Sequence, residues 1–140
     1  MKASGQGLPL LVKDRMKLDS EIKWISPYLE SVEDLVPLSK VKMIKVSPYR
    51  KGFPSYHGLI ETKNFRHFTI TVRVYSPFYK NKTISKLNQE CLLSHLAHEL
   101  SHLVHWNDYV VERFELETSI YRRFGKKLLE LGYELDRNKV

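Results

Sequence analysis

The chain has almost no cysteine and no long apolar run. Its single cysteine, Cys91, cannot form an internal disulfide bond. The apolar stretch Leu8–Val12 is far shorter than the roughly 20 residues of a membrane-spanning helix. It is also too short for the apolar core of a signal peptide. These absences predict a protein of a reducing, cytoplasmic setting with no membrane segment.

The 140 residues contain no internal repeat, no low-complexity tract and no evident linker. A chain of this length can bury one hydrophobic core but not two. Gly5, Gly7 and Pro9 lie close together near the start. We therefore expect a flexible N-terminus over residues 1–11 and a single domain over residues 12–140.

Acidic residues are fewer than basic ones. The chain has 23 lysines and arginines against 16 aspartates and glutamates, a formal net charge of +7. The basic residues are spread in loose groups, which is typical of a solvated surface. A nucleic-acid surface is the alternative, although no motif of a nucleic-acid-binding fold supports it.

The spacing of apolar residues predicts the order of helices and strands. Helical spacing occurs early and late in the chain, whereas Phe68–Tyr75 alternates between apolar and polar residues, as a half-buried strand does. Pro27 is expected to break or kink the first helical stretch, which allows two helical pieces there, and Gly132 is expected to end the last helix. The predicted elements are a helical region over 12–35, strands over 41–46, 57–62 and 68–75, and helices over 85–106 and 109–131. The predicted fold class is α+β, with an N-terminal helix, a small three-stranded twisted sheet and two C-terminal helices.

Four of the six histidines fall between positions 95 and 105, and two of them form the pattern His-Glu-x-x-His. On a helix, His98 and His102 differ by about 40° in azimuth and about 6 Å in height, so both imidazoles can reach one ion. Two neutral imidazoles suit Zn²⁺. Glu99 would flank the ion and accept a proton from water as the catalytic base. The alternative is a helix whose histidines are exposed or hydrogen-bonded within the fold.

This pattern and the residues after it resemble the gluzincin zinc peptidases. In that family the third ligand is a glutamate on the next helix, in a segment that Glu115–Tyr121 resembles. Ser119 replaces the family's acidic or amide residue, which is a better hydrogen-bond partner for a ligand histidine. The resemblance implies Glu115 as the third zinc ligand, with Glu112 and Glu117 as alternatives.

His105 is a rival ligand because it follows His102 by three residues. Three histidines on one straight helix span about 10 Å, too far to converge on one ion. His105 could bind only if the helix broke after His102, and Leu103 and Val104 offer no glycine for a break. The glycine-containing extension of the metzincins is also absent. His105 is therefore expected to lie behind the metal ligands or beside the substrate, or to be a helix-end histidine that suits the helix dipole when charged. With Tyr109, Tyr121 and Tyr75 it is a candidate hydrogen-bond donor to the reaction's oxyanion.

The size and order of elements are similar to the minigluzincins, and also to the SprT-like and ImmA/IrrE-type peptidases. In that layout the strand before the active-site helix is an edge strand that pairs with a peptide substrate. The resemblance therefore implies that Phe68–Tyr75 is this edge strand, with Thr69, Thr71 and Arg73 on its outer face.

Together these patterns predict a zinc-dependent endopeptidase with one zinc ion, acting on a peptide or protein substrate. A second hypothesis is a catalytically silent, zinc-containing module that binds a protein or DNA through its basic surface. A third is an interaction protein without metal, in which the helical histidines have no joint role.

Overall fold

The structure, a computed structural model, describes residues 16–48, 58–74 and 86–139. The expected flexible segment 1–11 and Tyr75 lie outside the described residues. The strands are β1 (Lys17–Leu18), β2 (Val41–Pro48), β3 (Gly58–Thr62) and β4 (Phe68–Val74), and the helices are α1 (Ser26–Glu30), α2 (Lys86–Ser101) and α3 (Val111–Lys139). In this part of the chain, no helix has the length and apolar character needed to cross a membrane. The predicted α+β class is confirmed.

The four strands form one mixed sheet in the order β1-β2-β4-β3. β1, β2 and β4 run parallel to one another, and β3 runs antiparallel to β4. The sheet has one strand more than predicted. The additional strand, β1, is two residues long, too short for an alternating pattern to reveal it.

The prediction that Phe68–Tyr75 is an edge strand is wrong. Ile70 of β4 lies opposite Ile44 of β2 on one side and opposite Ile60 of β3 on the other, so β4 is central. The strand order along the chain misleads here because β4 inserts between β2 and β3. Among the described strands, β3 is the edge next to β4.

The hydrophobic core lies between the sheet and α2. In β2 and β4, Ile44 and Ile70 are in register and completely buried. The buried apolar residues of α2 are Leu92, Leu93, Leu96, Ala97 and Leu100. Burying each large aliphatic side chain stabilises the fold by roughly 1.5–3 kcal/mol. The packing of α2 on β4 and β3 fixes which residues of the helix face the edge strand.

The N-terminal helical region is shorter and more broken than predicted. A 3₁₀ helix spans Ser20–Ile25, with non-helical backbone at Ile22. The helix α1 follows directly and has Pro27 in its first turn. A proline is tolerated there because its missing N–H would have no partner within the helix. Pro27 therefore helps to start a short helix instead of interrupting a long one.

Both C-terminal helices end at residues other than those predicted. α2 ends at Ser101, not near Trp106. α3 begins at Val111 and continues past Gly132 to Lys139. A glycine inside a helix costs only about 1 kcal/mol relative to alanine, so helix-compatible neighbours can carry the helix through it.

α3 packs across α2 and α1, which fixes its rotation about its own axis. The buried Phe124 ring meets the ring of Tyr28 edge to face, with centroids 6.1 Å apart. Arg123 donates two hydrogen bonds to the carboxylate of Asp34, at 2.9 and 3.0 Å. The α3 residues that turn inward include Arg113, Glu117, Ile120 and Phe124.

Candidate metal centre

His98 and His102 lie on the side of α2 that faces β3. Their ring centroids are 5.0 Å apart, as expected for residues one helical turn apart. The side chain of His102 is 8% exposed and that of His98 is 19% exposed. The two imidazoles thus line the floor of a cleft that opens to solvent.

The imidazole of His102 is hydrogen-bonded to the main chain of the turn that follows α2. Its Nδ1 lies 3.1 Å from the carbonyl oxygen of His105 and 3.0 Å from that of Trp106, so Nδ1 carries the proton and donates to both. A histidine near a helix C-terminus can satisfy carbonyls that lack helical partners. The expectation that α2 could not end here without a glycine is therefore wrong.

The turn after α2 brings Asp108 back to the two histidines. Its Oδ1 lies 3.0 Å from Nε2 of His102 and 3.8 Å from Nε2 of His98. One ligand atom from each of the three residues lies within 4.8 Å of the other two. Ligand atoms about 2.0–2.2 Å from a tetrahedral ion are separated by about 3.4 Å. The cluster of His98, His102 and Asp108 could therefore hold a metal ion with small adjustments.

The other ring nitrogen of His98, Nδ1, is hydrogen-bonded to Glu117 of α3. Nδ1 of His98 lies 2.9 Å from Oε1 of Glu117, which can only accept, so Nδ1 carries the proton. This leaves Nε2 as the nitrogen with a lone pair, directed towards Asp108. A carboxylate behind a ligand histidine fixes the ring's orientation and makes it a stronger donor to a metal.

Arg113 ties the three parts of the site together. It is 1% exposed, and its Nη1 donates to Oε1 of Glu117 at 2.6 Å and to Oγ of Ser101 at 2.8 Å. Its Nε donates to the main-chain oxygen of Asp108 at 3.3 Å. Nη1 also lies 3.4 Å from Nδ1 of His98, but both groups are donors, so we assign the His98 proton to the shorter contact with Glu117. Arg113 thus joins α3, the end of α2 and the turn that carries Asp108.

Glu99 is buried beside the histidines. It is 4% exposed, and its Oε2 lies 4.0 Å from Nε2 of His98. Burial is the largest cause that raises its pKa from 4.5 to about 7, and the negative charges of Asp108 and Glu117 add to it. Arg113 acts in the opposite direction. A carboxyl group with a pKa near neutrality is suited to accept and release protons at physiological pH.

The site opens into a cleft of about 270 Å³. One wall is the edge strand β3, and the other is formed by α2 and the turn after it. The lining residues are Gly58, Leu59, Ile60, His98, Glu99, His102, Trp106 and Asp108. A larger hollow of about 470 Å³ lies around Lys45, Glu61 and Lys63, but neither imidazole of the cluster lines it.

The structure does not bring Glu115 to the histidines. Glu115 is exposed and lies two residues from both Arg113 and Glu117, which is about 200° around the helix from each. Glu112 is exposed as well. Glu117 faces the site but contacts Nδ1 of His98, on the side of the ring away from Asp108.

The three predicted hydrogen-bond donors to substrate are not gathered at the cleft. His105 contributes its main-chain oxygen to His102. Tyr109 follows Asp108 directly but is 89% exposed, and Tyr121 is 43% exposed on α3. None of the three is among the described residues that line the cleft.

The predicted substrate-strand residues also lie elsewhere. Thr69 and Thr71 of β4 lie opposite residues of both neighbouring strands, β2 and β3. Arg73 was expected to face outward, but it is 7% exposed, and its main-chain oxygen accepts a hydrogen bond from Nδ1 of His95 at 2.9 Å. The strand beside the histidines is β3.

Asp108 and Arg113 are site residues that were not predicted from the sequence. Asp108 follows His102 by six residues, the interval between the second and third histidines of the extended metzincin motif. His105 stands where that motif has glycine, so the interval went unused. Nothing in the sequence distinguishes the buried Arg113 from the many exposed basic residues.

No protein-family model, no curated protein and no solved structure matches the chain. The gluzincin resemblance therefore depends on the sequence motif, and the case for a function depends on the arrangement of side chains around His98 and His102.

Proposed function

We propose that the protein is a zinc-dependent endopeptidase in which His98, His102 and Asp108 hold one zinc ion. The observation that carries the proposal is the convergence of these three side chains, with both Nδ1 atoms engaged in hydrogen bonds that direct Nε2 towards Asp108. Asp108 takes the role that the gluzincin resemblance gave to Glu115.

The donor set favours zinc over calcium and magnesium. Ca²⁺ and Mg²⁺ prefer six or more oxygen ligands, whereas two imidazoles and one carboxylate are typical of catalytic zinc sites. Three protein ligands would leave a fourth position on the ion for water or substrate. All three residues line the cleft, which is open to solvent. Zinc in such a site lowers the pKa of a coordinated water and polarises a carbonyl group.

Glu99 is the proposed general base. It lies next to His98 in the cleft, and its burial favours the protonated form that follows proton uptake. Glu99 takes a proton from the attacking water and delivers it to the leaving amide nitrogen. A site that only stored metal would gain nothing from a buried carboxyl group that does not ligate the ion.

The edge strand β3 favours a peptide substrate. An extended peptide can add to an exposed sheet edge through main-chain hydrogen bonds, with alternate side chains directed into the cleft. Leu59 and Ile60 of β3 line the cleft opposite His98. A peptide lying along β3 would present its carbonyl groups to the histidine cluster.

Two acidic residues allow a matched test of the ligand assignment. Asp108→Asn should lower zinc affinity by at least about 100-fold, because a ligand contributes more than the residues that support it. Glu115→Gln removes a charge seven residues away and should leave zinc affinity unchanged. Zinc content after dialysis and titration calorimetry on the metal-free protein measure both. Loss of zinc from Glu115→Gln with retention in Asp108→Asn would overturn the assignment.

Glu99→Gln separates metal binding from hydrolysis. The amide has nearly the same shape as the carboxyl group but cannot accept the proton, so the variant should keep its zinc and lose cleavage of an unfolded protein substrate. Mass spectrometry of the digest and metal analysis of the same sample give both readouts. Full activity in this variant would refute the role of Glu99.

A further inference from the structure

The turn between β3 and β4 displays an aromatic ring in a strained backbone conformation. Phe65 has φ +57°, a left-handed conformation that aromatic residues rarely adopt. Its side chain is nevertheless 60% exposed. Such strain persists only where the surrounding structure enforces it, and it is enriched at binding sites.

Hydrogen bonds within the turn enforce the position of Phe65. Its N–H donates to Oγ1 of Thr62 at 2.9 Å, and that hydroxyl donates to the carbonyl oxygen of His67 at 2.7 Å. Oδ1 of Asn64 accepts from the N–H groups of Arg66 and His67, at 2.9 and 3.2 Å. The turn therefore fixes the backbone from which the Phe65 ring projects.

That ring continues the wall of the metal cleft. Phe65 meets Trp106 at 5.2 Å between centroids, and Trp106 lies 6.4 Å from the ring of His102. Trp106 lines the cleft and is 49% exposed. We call Phe65 and Trp106 the aromatic shelf.

The shelf contacts a core residue and still leaves much of its own surface exposed. Phe68 lies beneath it, 6.0 Å from Trp106 and 6.3 Å from Phe65, and is only 3% exposed. Two large apolar rings remain half or more uncovered above it, next to the cluster. Exposed aromatic surface that continues into a cleft indicates a place where a ligand is bound.

We propose that the aromatic shelf binds an apolar side chain of the substrate, preferably an aromatic one, on the N-terminal side of the scissile bond. The inference rests on the proposed peptidase function. β3 runs from Gly58, opposite Val72, to Thr62, opposite Phe68, so its C-terminal end lies at the shelf. Antiparallel pairing is slightly more stable per residue than parallel pairing, so we take the substrate to run antiparallel to β3. Such a strand begins at the shelf and reaches the histidines later.

The distance along the strand sets the position of this side chain. Thr62 lies two residues beyond Ile60, the last strand residue that lines the cleft, which is about 7 Å at strand spacing. The selected substrate residue is therefore within about three positions before the cleaved bond.

Phe65→Asn provides the test, because asparagine accepts the left-handed conformation and lacks the ring. The wild-type cleavage site in a peptide library is first located by mass spectrometry. Peptides with Phe or Ala at each of the three preceding positions are then compared. The ratio of kcat/KM for Phe over Ala should exceed 1 at one position in the wild type and fall about three- to tenfold in the variant.

Phe65→Gly and Leu129→Ala complete the design. Glycine also accepts this backbone conformation, so both Phe65 variants should stay folded at the assay temperature although each loses the ring contacts with Phe68 and Trp106. Leu129 is an exposed apolar residue of α3, and its truncation should leave the ratio unchanged. An unchanged ratio in both Phe65 variants, each still folded at the assay temperature, would overturn the proposal.

A binding readout separates failure of this inference from failure of the peptidase function. In Glu99→Gln with Trp24→Phe, Trp106 is the only tryptophan and its fluorescence reports on the shelf. The Phe peptide should bind several-fold more tightly than the Ala peptide, and adding Phe65→Asn should remove the difference. Equal affinity for the Phe and Ala peptides would overturn the proposed role of the aromatic shelf. Absence of zinc-dependent cleavage by the wild type, with the binding difference intact, overturns the peptidase function and leaves the shelf as a peptide-binding site.

Discussion

Replacing Glu99 by Gln should make the stability of the metal-free protein much less dependent on pH. Glu99 is 4% exposed, and burial together with the charges of Asp108 and Glu117 raises its pKa to about 7. In the unfolded chain the same carboxyl group has its ordinary pKa of 4.5. The folded protein therefore holds this proton over a pH range in which the unfolded chain has released it.

The sign and size of the effect follow from proton linkage. Below pH 4.5 the Glu99 carboxyl group is protonated in both the folded and the unfolded chain, so its ionisation does not lower the free energy of unfolding. As pH rises from 4.5 to 7, the unfolded chain releases its proton first, so the free energy of unfolding falls. Once Glu99 is fully ionised above pH 7, the free energy of unfolding is lower by about 3 kcal/mol. Each pH unit between the two pKa values contributes about 1.4 kcal/mol to this loss. Glutamine at position 99 has no proton to lose.

Urea unfolding from pH 4 to pH 8, in the presence of a chelator, measures this difference. The free energy of unfolding of Glu99→Gln minus that of the wild type should increase by about 3 kcal/mol over the range. Glu115→Gln serves as the control, since Glu115 is exposed and its replacement should give a nearly constant difference. A pH-independent difference for Glu99→Gln would show that Glu99 is not buried as described.

Two further predictions concern charges on α3. Glu117→Gln should lower zinc affinity about 10- to 100-fold, because it removes the negative charge behind Nδ1 of His98; calorimetric titration measures this, and unchanged affinity would contradict the role of Glu117. Hydrogen bonds from Arg123 lower the pKa of Asp34, so this pair stabilises the fold above the ordinary pKa of the carboxyl group and less as pH falls through the lowered value. The stability difference between wild type and Asp34→Asn should therefore shrink under acid in thermal unfolding, and a difference that grows would contradict it.

The pair of histidines could be predicted from sequence because their relation is local. A helical turn determines the distance between His98 and His102 whatever the rest of the fold does. The alternating pattern of β4 could be identified for the same reason, since Phe68, Ile70 and Val72 are all buried.

The position of Asp108 could not be predicted because it depends on the place where α2 ends. That end is held by the imidazole of His102 and by Arg113, a residue eleven positions further along the chain. Neither contact can be predicted from the helix propensities of the residues around Ser101. The exclusion of Glu115 similarly depends on the rotation of α3, which its packing against α1 and α2 decides.

The order of strands in the sheet could not be predicted from the alternation of apolar and polar residues either. β3 and β4 both read as short strands, and alternation does not show which has neighbours on both sides. Only the parallel pairing of β4 with β2 identifies β3 as the edge beside the cluster.

The three residues of the cluster lie within the eleven positions from His98 to Asp108. Closing so short a loop costs little chain entropy compared with recruiting a ligand from a distant helix. An ion that binds these residues could therefore engage them during folding, before α3 has docked, and metal availability would then affect the yield of folded protein. Refolding from urea with and without zinc would show this as a faster approach to the native state when the ion is present from the start.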